Sequence, residues 1–238
     1  MATTSIRDNL LRLEERISAA ARRAGRSSGE ITLIGVSKTH PAEAIREAYD
    51  AGLRHFGENR VQEWEGKQAG IQGLDAKWHL IGHLQSNKAA RAAKLFHSID
   101  SVDDFPLAER LDRARSESGV TERIRVLIEV HIAKEEAKSG TAIEELPALV
   151  EKIVALPKLE LAGLMCIPPF AENREEARPH FRRLRELRDG LAKRLACVLP
   201  VLSMGMSHDF EVAIEEGATE VRVGTALFGT RGTMKAGQ

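Results

Sequence analysis

From Ile31 onward the chain alternates without a break between short strand-like runs and longer stretches with helical spacing, and this alternation limits the fold more than any other feature. Eight strands are expected, at Ile31–Lys38, His55–Gly57, Trp78–Gly82, His97–Ile99, Arg125–Ile132, Leu159–Cys166, Val201–Ser203 and Glu220–Gly224. Helical patterns fill the gaps: the stretch from Pro41 to Gly52, then Val61–Gln68, Lys88–Leu95, Phe105–Ser118, Ile143–Ala155, Arg178–Leu195 and Phe210–Glu216. The clearest repeats Phe181, Leu184, Leu187, Leu191 and Leu195 on a charged background. Asp103 and Asp104 ahead of Phe105, and Gly119 behind it, are the expected helix start and stop signals. Runs such as VLIEV and LAGLM are nearly continuous in apolar residues, as parallel strands covered on both faces are. Eight β-then-α units in roughly 200 residues fit an α/β fold of the closed (β/α)8 TIM-barrel type better than an open doubly wound sheet. Strand order is not visible in such a pattern, so the doubly wound sheet stays as the alternative.

Ahead of the first strand, Ile6, Leu10, Leu13, Ile17, Ala20 and Ala24 lie on one face of an amphipathic helix, about residues 5–25, that Gly25 closes. No linker, repeat or low-complexity tract interrupts the rest, so residues 1–238 read as one domain. Lysine plus arginine and aspartate plus glutamate number 35 each, which leaves no basic field for nucleic acid. No apolar run approaches the ~20 residues that cross a bilayer. The opening MATTSIRDNLLRLEERISAAARRAG has charges throughout and lacks the apolar core of a signal peptide. Cys166 and Cys197 offer neither a disulfide framework nor metal-ligand spacing, so a reducing cytoplasmic setting is expected.

Chemistry in a barrel of this type sits where strands end and helices begin. The first junction presents Lys38 after an apolar run and just before Pro41, which is placed as a first helical residue. An ammonium there is costly unless it is paired, deprotonated or covalently modified, although most strand-end lysines simply extend to water. The seventh junction, SMGMS, sets Ser203, Gly205 and Ser207 before a helix, where backbone N–H groups and hydroxyls converge on an anion. Its plainer reading is Ser207 as a helix cap. The eighth, RVGTALFG, adds a second glycine-containing turn alongside, and barrels recurrently hold phosphate between their seventh and eighth loops. A strand-end amine and a phosphate site in one mouth suggest pyridoxal 5′-phosphate (PLP), with Lys38 forming the Schiff base. Arg222 is then the group near the pyridine nitrogen, or else a phosphate clamp or salt-bridge partner. Arginine stays protonated, so it donates a hydrogen bond without protonating the ring, which weakens the ring as an electron sink.

LIGVSKTHP, FGENRVQE, WHLIGHLQSNK, KSG, LAGLMCIPP, SMGMSHDFEVAI and VRVGTALFG, in this order from about Ile31 to Gly229, together resemble the pyridoxal 5′-phosphate homeostasis protein family. The resemblance implies a barrel of the alanine racemase N-terminal-domain type that carries PLP on Lys38, without demonstrated turnover and without the C-terminal β-domain of the racemases. It also implies phosphate contacts from Ser203, Met204, Gly205 and Ser207 and from Arg222, Gly224 and Thr225, with Asn59 and His83 lining the ring's surroundings. Where the family commonly carries a tyrosine after GEN, this chain has Arg60. Lys138, in KSG, matches a position that could receive PLP in transfer.

Two function classes follow. The leading one is a PLP carrier or regulator, a cytoplasmic monomer that holds the vitamer and passes it to apo PLP-dependent enzymes, with no catalytic residue assigned. The other is a PLP-dependent racemase or isomerase, which needs acid–base groups on both ring faces. Tyr49, the one tyrosine, falls on the first barrel helix, so His83, Cys166 or a second subunit would have to serve. Non-covalent binding of a phosphorylated metabolite is a third reading. No glutamate follows His79 as a metal-binding HExxH requires, so no metal site is expected. Glu58, Glu129 and Asp209 are further acids without a visible pairing, and the arginines from Arg182 to Arg188 share their helix with Glu186 and Asp189, as a solvated face does.

Overall fold

The computed structural model describes residues 5–133 and 140–229. Eight parallel strands close into a barrel in chain order, β1 (Thr32–Val36), β2 (His55–Glu58), β3 (Lys77–Leu80), β4 (Ser98–Val102), β5 (Ile124–Glu129), β6 (Leu159–Met165), β7 (Val201–Ser203) and β8 (Glu220–Val223). Closure is made by β1 and β8, which pair from Thr32↔Glu220 to Gly35↔Val223. A closed sheet excludes the open doubly wound alternative. The helices are α1 (Ile6–Arg23), α2 (Ala42–Asp50), α3 (Val61–Ile71), α4 (Ala89–Leu95), α5 (Phe105–Glu117), α6 (Leu146–Val154), α7 (Arg178–Leu195), α8 (Phe210–Glu215) and α9 (Thr225–Phe228).

α7 agrees with the sequence pattern to the residue, whereas β1 stops at Val36 and leaves Lys38 in the turn beyond it, β5 stops at Glu129 rather than Ile132, and α3 runs on to Ile71. Pro41 stands just outside α2 as its cap, with ψ at 165°. β4 runs on to Val102, because Asp100 and Ser101 are fully buried in the sheet despite their polarity. The four-residue α9 has no periodicity to read, and its shortness gives α1 a task. Leu10, Leu13 and Ile17 are buried, and α1 lies against α2, α8 and α9, where a full eighth barrel helix would otherwise cover the β8–β1 seam. Asn9 Nδ2 donates to Leu227 O at 2.9 Å, and Arg16 and Arg23 pair with Glu211 and Glu215 of α8 at 3.0 and 2.7 Å. On α7 the basic face is tied down as well as solvated: Arg182 reaches Glu216 at 2.9 Å and Arg188 Nη1 donates to Leu199 O at 3.1 Å.

The main apolar core lies between sheet and helices, while inside the barrel Leu127, Ala162 and Met165 make only a small apolar plug. Polar groups occupy the strand beginnings. His79 Nδ1 meets Asp100 at 3.2 Å, His79 Nε2 meets His55 Nδ1 at 3.0 Å, and Arg125 Nη2 donates to Glu220 at 2.6 Å. Burial, the largest influence, works to raise Asp100, but the charge and hydrogen bond of His79 outweigh it and hold the carboxyl below its usual range. Glu220 goes the other way, raised first by burial and then by Asp100.

Two expectations follow from this packing. A Cβ at Gly163 would run into the Val201 main chain, its Cα 2.9 Å away, and backbone cannot step aside cheaply. Gly163→Ala is therefore expected to lose about 1–3 kcal/mol in urea unfolding, and an unchanged midpoint contradicts the packing. Burial, followed by the charge of His79, lowers the His55 pKa from 6.5 to about 4. The unfolded chain therefore takes up a proton that the folded state refuses. Stability from this group is present above pH 6.5 and falls as pH drops toward about 4. His55→Gln should flatten that part of the stability–pH profile, and an unaltered slope contradicts the assignment.

Candidate functional site

The chain leaves β1 through a tight turn. Ser37 O accepts the His40 N–H at 3.0 Å, so Lys38 and Thr39 are the two central turn residues. Thr39 has φ +65°, the left-handed conformation that the second central position of a type II turn requires and that a β-branched residue adopts only under constraint. Lys38 is partly buried. Because β1 pairs with β8, its turn adjoins the β8 exit: Val36 O lies 3.5 Å from where a Cβ would stand on Gly224, and the His40 ring stacks on Phe228 of α9 at 4.8 Å between centroids.

The exits of β7 and β8 are bonded to one another. Arg222 is 3% exposed, and its Nη1 donates to Ser203 Oγ at 2.8 Å while Nη2 donates to Cys166 O at 2.9 Å. Its main-chain N–H donates to Gly205 O at 3.0 Å, and Met204 N–H donates to Glu220 O at 3.1 Å. Gly205 has φ +92°, and a Cβ there would come within 2.9 Å of Phe210 Cα, so only glycine lets this turn close onto α8. Ser207 does not cap α8. Asp209 accepts the Met206 N–H at 2.6 Å, while Ser207 Oγ turns across to β8 and accepts from Gly224 N–H at 3.3 Å and Ala226 N–H at 3.4 Å. Two main-chain donors at the β8 exit thus point at one oxygen, with Thr225 exposed between them. Both bonds are long, so a charged oxygen acceptor at that point would be held more strongly.

Asn59 and His83 lie on another part of the rim. A Cβ on Gly82 would stand 2.9 Å from Asn59 Cα, so the β2 and β3 exits touch. They border a cavity of about 760 Å³ lined by Asn59, Arg60, Gln62, His83, Gln85 and Lys88 among others, with no acidic residue in its lining. His83 is exposed and its Nδ1 lies 3.3 Å from Asp103. The bonded set around Arg222 adjoins Lys38 through the β8–β1 pairing, whereas Asn59 and His83 form a separate group, and Arg60 faces their cavity. Lys138 lies outside the described residues.

Three other groups have defined surroundings. Cys166 is fully buried, and burial pushes its thiol up to about 12, against the opposing pull of Arg222. Tyr49 ends α2 beneath the Arg54 guanidinium, 4.0 Å from its ring centre, away from the strand exits. Behind the β1 turn, Ser37, Glu58, Glu63 and Lys67 make a bonded cluster that sequence reasoning overlooked. Glu63 and Lys67 stand four apart on α3, a spacing that signals a helical ion pair, but nothing in the pattern places it under Lys38.

A family model described as the alanine racemase N-terminal domain matches residues 9–232. A pyridoxal phosphate homeostasis protein of Aquifex aeolicus is 49% identical over 224 residues, covering 94% of this chain and 97% of that protein. Among solved structures, PipY of Synechococcus elongatus PCC7942 is similar in its form without PLP, with TM-score 0.85, 41% identity, and coverage of 94% of this chain and 100% of that one. The PLP-bound form of PipY gives TM-score 0.80 at 42% identity, covering 90% and 100%. An alanine racemase of Clostridium difficile 630 shares the fold alone, with TM-score 0.74 at 14% identity over 97% of this chain and 60% of that one.

Proposed function

We propose that this chain, which belongs to the alanine racemase N-terminal domain family and groups with its pyridoxal phosphate homeostasis proteins, binds PLP at the barrel mouth and serves PLP homeostasis. The observation that carries the reading is the convergence of the Gly224 and Ala226 N–H groups on the Ser207 hydroxyl, one strand from the Lys38 turn. That point suits one oxygen of a phosphate, and glycine at 205 lets the turn carrying Ser207 close onto α8 beside it. Arg222 supports the reading from below. Two of its donors are taken by Ser203 and Cys166, and a guanidinium carries five, which leaves capacity for an acceptor such as a ring nitrogen. The residues present therefore fit the group.

When bound, PLP supplies an aldehyde that joins a primary amine with loss of one water, and a ring that draws electrons from the joined carbon. Lys38 offers the amine. Gly205 and Ser207 with Gly224 and Thr225 line the anionic end, while Ser203 holds Arg222 and Met204 N–H is engaged with Glu220 O. Arg222 donates toward the ring without giving up its proton. Asn59 and His83 border the open side. In this reading the chain is a one-domain cytoplasmic monomer that passes PLP to apo enzymes. No helix among the described residues is long and apolar enough to cross a membrane.

The carrier reading is favoured over a racemase by the state of two groups from which a second base would have to come, His83 at the open side being left to the deuterium exchange test. Tyr49 is engaged with Arg54 at the far end of α2, and the buried Cys166 thiol, at about 12, does not take up the role of a base near neutral pH. Two outcomes are expected. Borohydride treatment with PLP should add mass to the peptide carrying Lys38 and add none in Lys38→Ala; labelling confined to other lysines contradicts the assignment. Incubation of the PLP-loaded protein with L- and D-amino acids in deuterated water should leave the α-carbon unlabelled, and deuterium incorporation that depends on Lys38 would overturn the preference for a carrier.

A further inference from the structure

The carbonyl before Lys38 is bonded by the Lys67 ammonium, and the amide after it by a carboxylate that the same ammonium holds. Lys67 Nζ donates to Ser37 O at 2.8 Å, to Glu58 Oε1 at 2.8 Å and to Glu63 Oε1 at 3.2 Å. Glu63 Oε1 in turn accepts the Thr39 N–H, and Glu58 Oε1 accepts the Ser37 hydroxyl at 2.7 Å. The carbonyl before Lys38 and the amide after it are thus both fastened to groups that meet on Lys67. The cluster spans the β1 exit, the β2 exit and the first two turns of α3. Glu58 is fully buried and the Lys67 side chain is 11% exposed, so water competes little for these bonds. Burial pushes the Glu58 carboxyl above its ordinary range, against the bond and charge of Lys67 and the bond from Ser37, and its Oε2 has no hydrogen-bond partner.

A buried carboxylate–ammonium pair is expensive to desolvate, and here it secures a turn that its own sequence does not favour. Position 39 needs a left-handed residue; glycine would adopt it freely, whereas threonine needs outside support. His40 is braced on the other flank by Phe228. Left to its propensities, the turn would relax and carry the Lys38 side chain with it.

We propose that Lys67 is a positioning residue: through Ser37, Glu58 and Glu63 it fixes the strained turn that presents the Lys38 amine to the mouth. This rests on the reading of Lys38 as the PLP-bearing amine. The bonds of Lys67 go to Ser37 O, Glu58 and Glu63, so it acts on Lys38 through the turn's backbone. Its removal therefore affects capture by the amine more than affinity for the ring and phosphate.

The test uses the full chain and the double variant Lys67→Met/Glu58→Gln, which leaves no unpaired buried charge, beside Lys67→Met alone. Two ligands are compared: PLP, and pyridoxine 5′-phosphate, which has the same ring and phosphate but an alcohol where the aldehyde stands. Both variants are expected to lose PLP binding by roughly tenfold to a hundredfold, the scale on which a misplacement of about 1 Å acts, with pyridoxine phosphate binding nearly unchanged. Equal losses for both ligands mean that the whole mouth has collapsed and overturn the positioning role, as does unchanged PLP binding. A second measurement needs no ligand: hydrogen exchange at the Thr39 and His40 amides should quicken in the double variant, and unaltered protection overturns the proposal. Failure of the parent protein to attach PLP at Lys38 would instead sink the proposed function, and exchange would then decide the role of Lys67 in the turn alone.

Discussion

Pairing of the first strand with the eighth is the constraint on which the rest depends. In an open sheet of the same eight strands, the distance from Lys38 to the Ser203–Ser207 and Gly224–Thr225 turns would depend on strand order. Closure puts Gly35 beside Val223 and so makes the first and last exits neighbours. Lys38 comes from one end of the chain and the Ser203–Ser207 and Gly224–Thr225 turns from the other. The N-terminal helix completes this seam from outside, since the last barrel helix is only Thr225–Phe228 and cannot cover it alone.

Charged groups buried at both ends of the barrel are hydrogen-bonded, Arg222 to neutral partners. At the strand beginnings His55, His79, Asp100, Arg125 and Glu220 form linked pairs in the space that an apolar plug fills only in part. At the strand ends Arg222 is secured by Ser203 and Cys166, and Lys67 by Glu58 and Glu63. Leaving either member of such a pair alone in the interior is far more costly than losing the pair. These pairs therefore say less about net stability than about geometry: they fix where the exits point. The Arg222 contacts and the Ser207 hydroxyl do so for the seventh and eighth exits, and Lys67 does so for the first.

Local pattern was enough to read the alternation of elements, and with it the barrel, the strand-end position of Lys38 and the glycine-bearing turns. Each is set by spacing within a few residues. What escaped reading is set by contacts between distant segments. The four residues of α9 hold too little sequence for a period to show. Asp100 and Ser101 look like loop residues until their burial among His79 and its neighbours is seen. Ser207 carries the local marks of a cap, yet its hydroxyl is drawn across to Gly224 and Ala226. Glu63 and Lys67 had a legible spacing, but only the fold places them behind Ser37 and Thr39. Asn59 and His83 followed from resemblance, and they border a cavity at the β2 and β3 exits that also takes in Arg60, apart from the bonded set around Arg222.

The central claim is that one amine and one anion cradle, brought side by side by barrel closure, make a single PLP site. A crystal structure of the protein grown with PLP tests it most directly. Continuous density is expected from Lys38 Nζ, with phosphate oxygens on the Gly224 and Ala226 N–H groups in the place the Ser207 hydroxyl holds. Phosphate bound instead in the cavity beside Arg60 and Lys88, with Lys38 unattached, would contradict it.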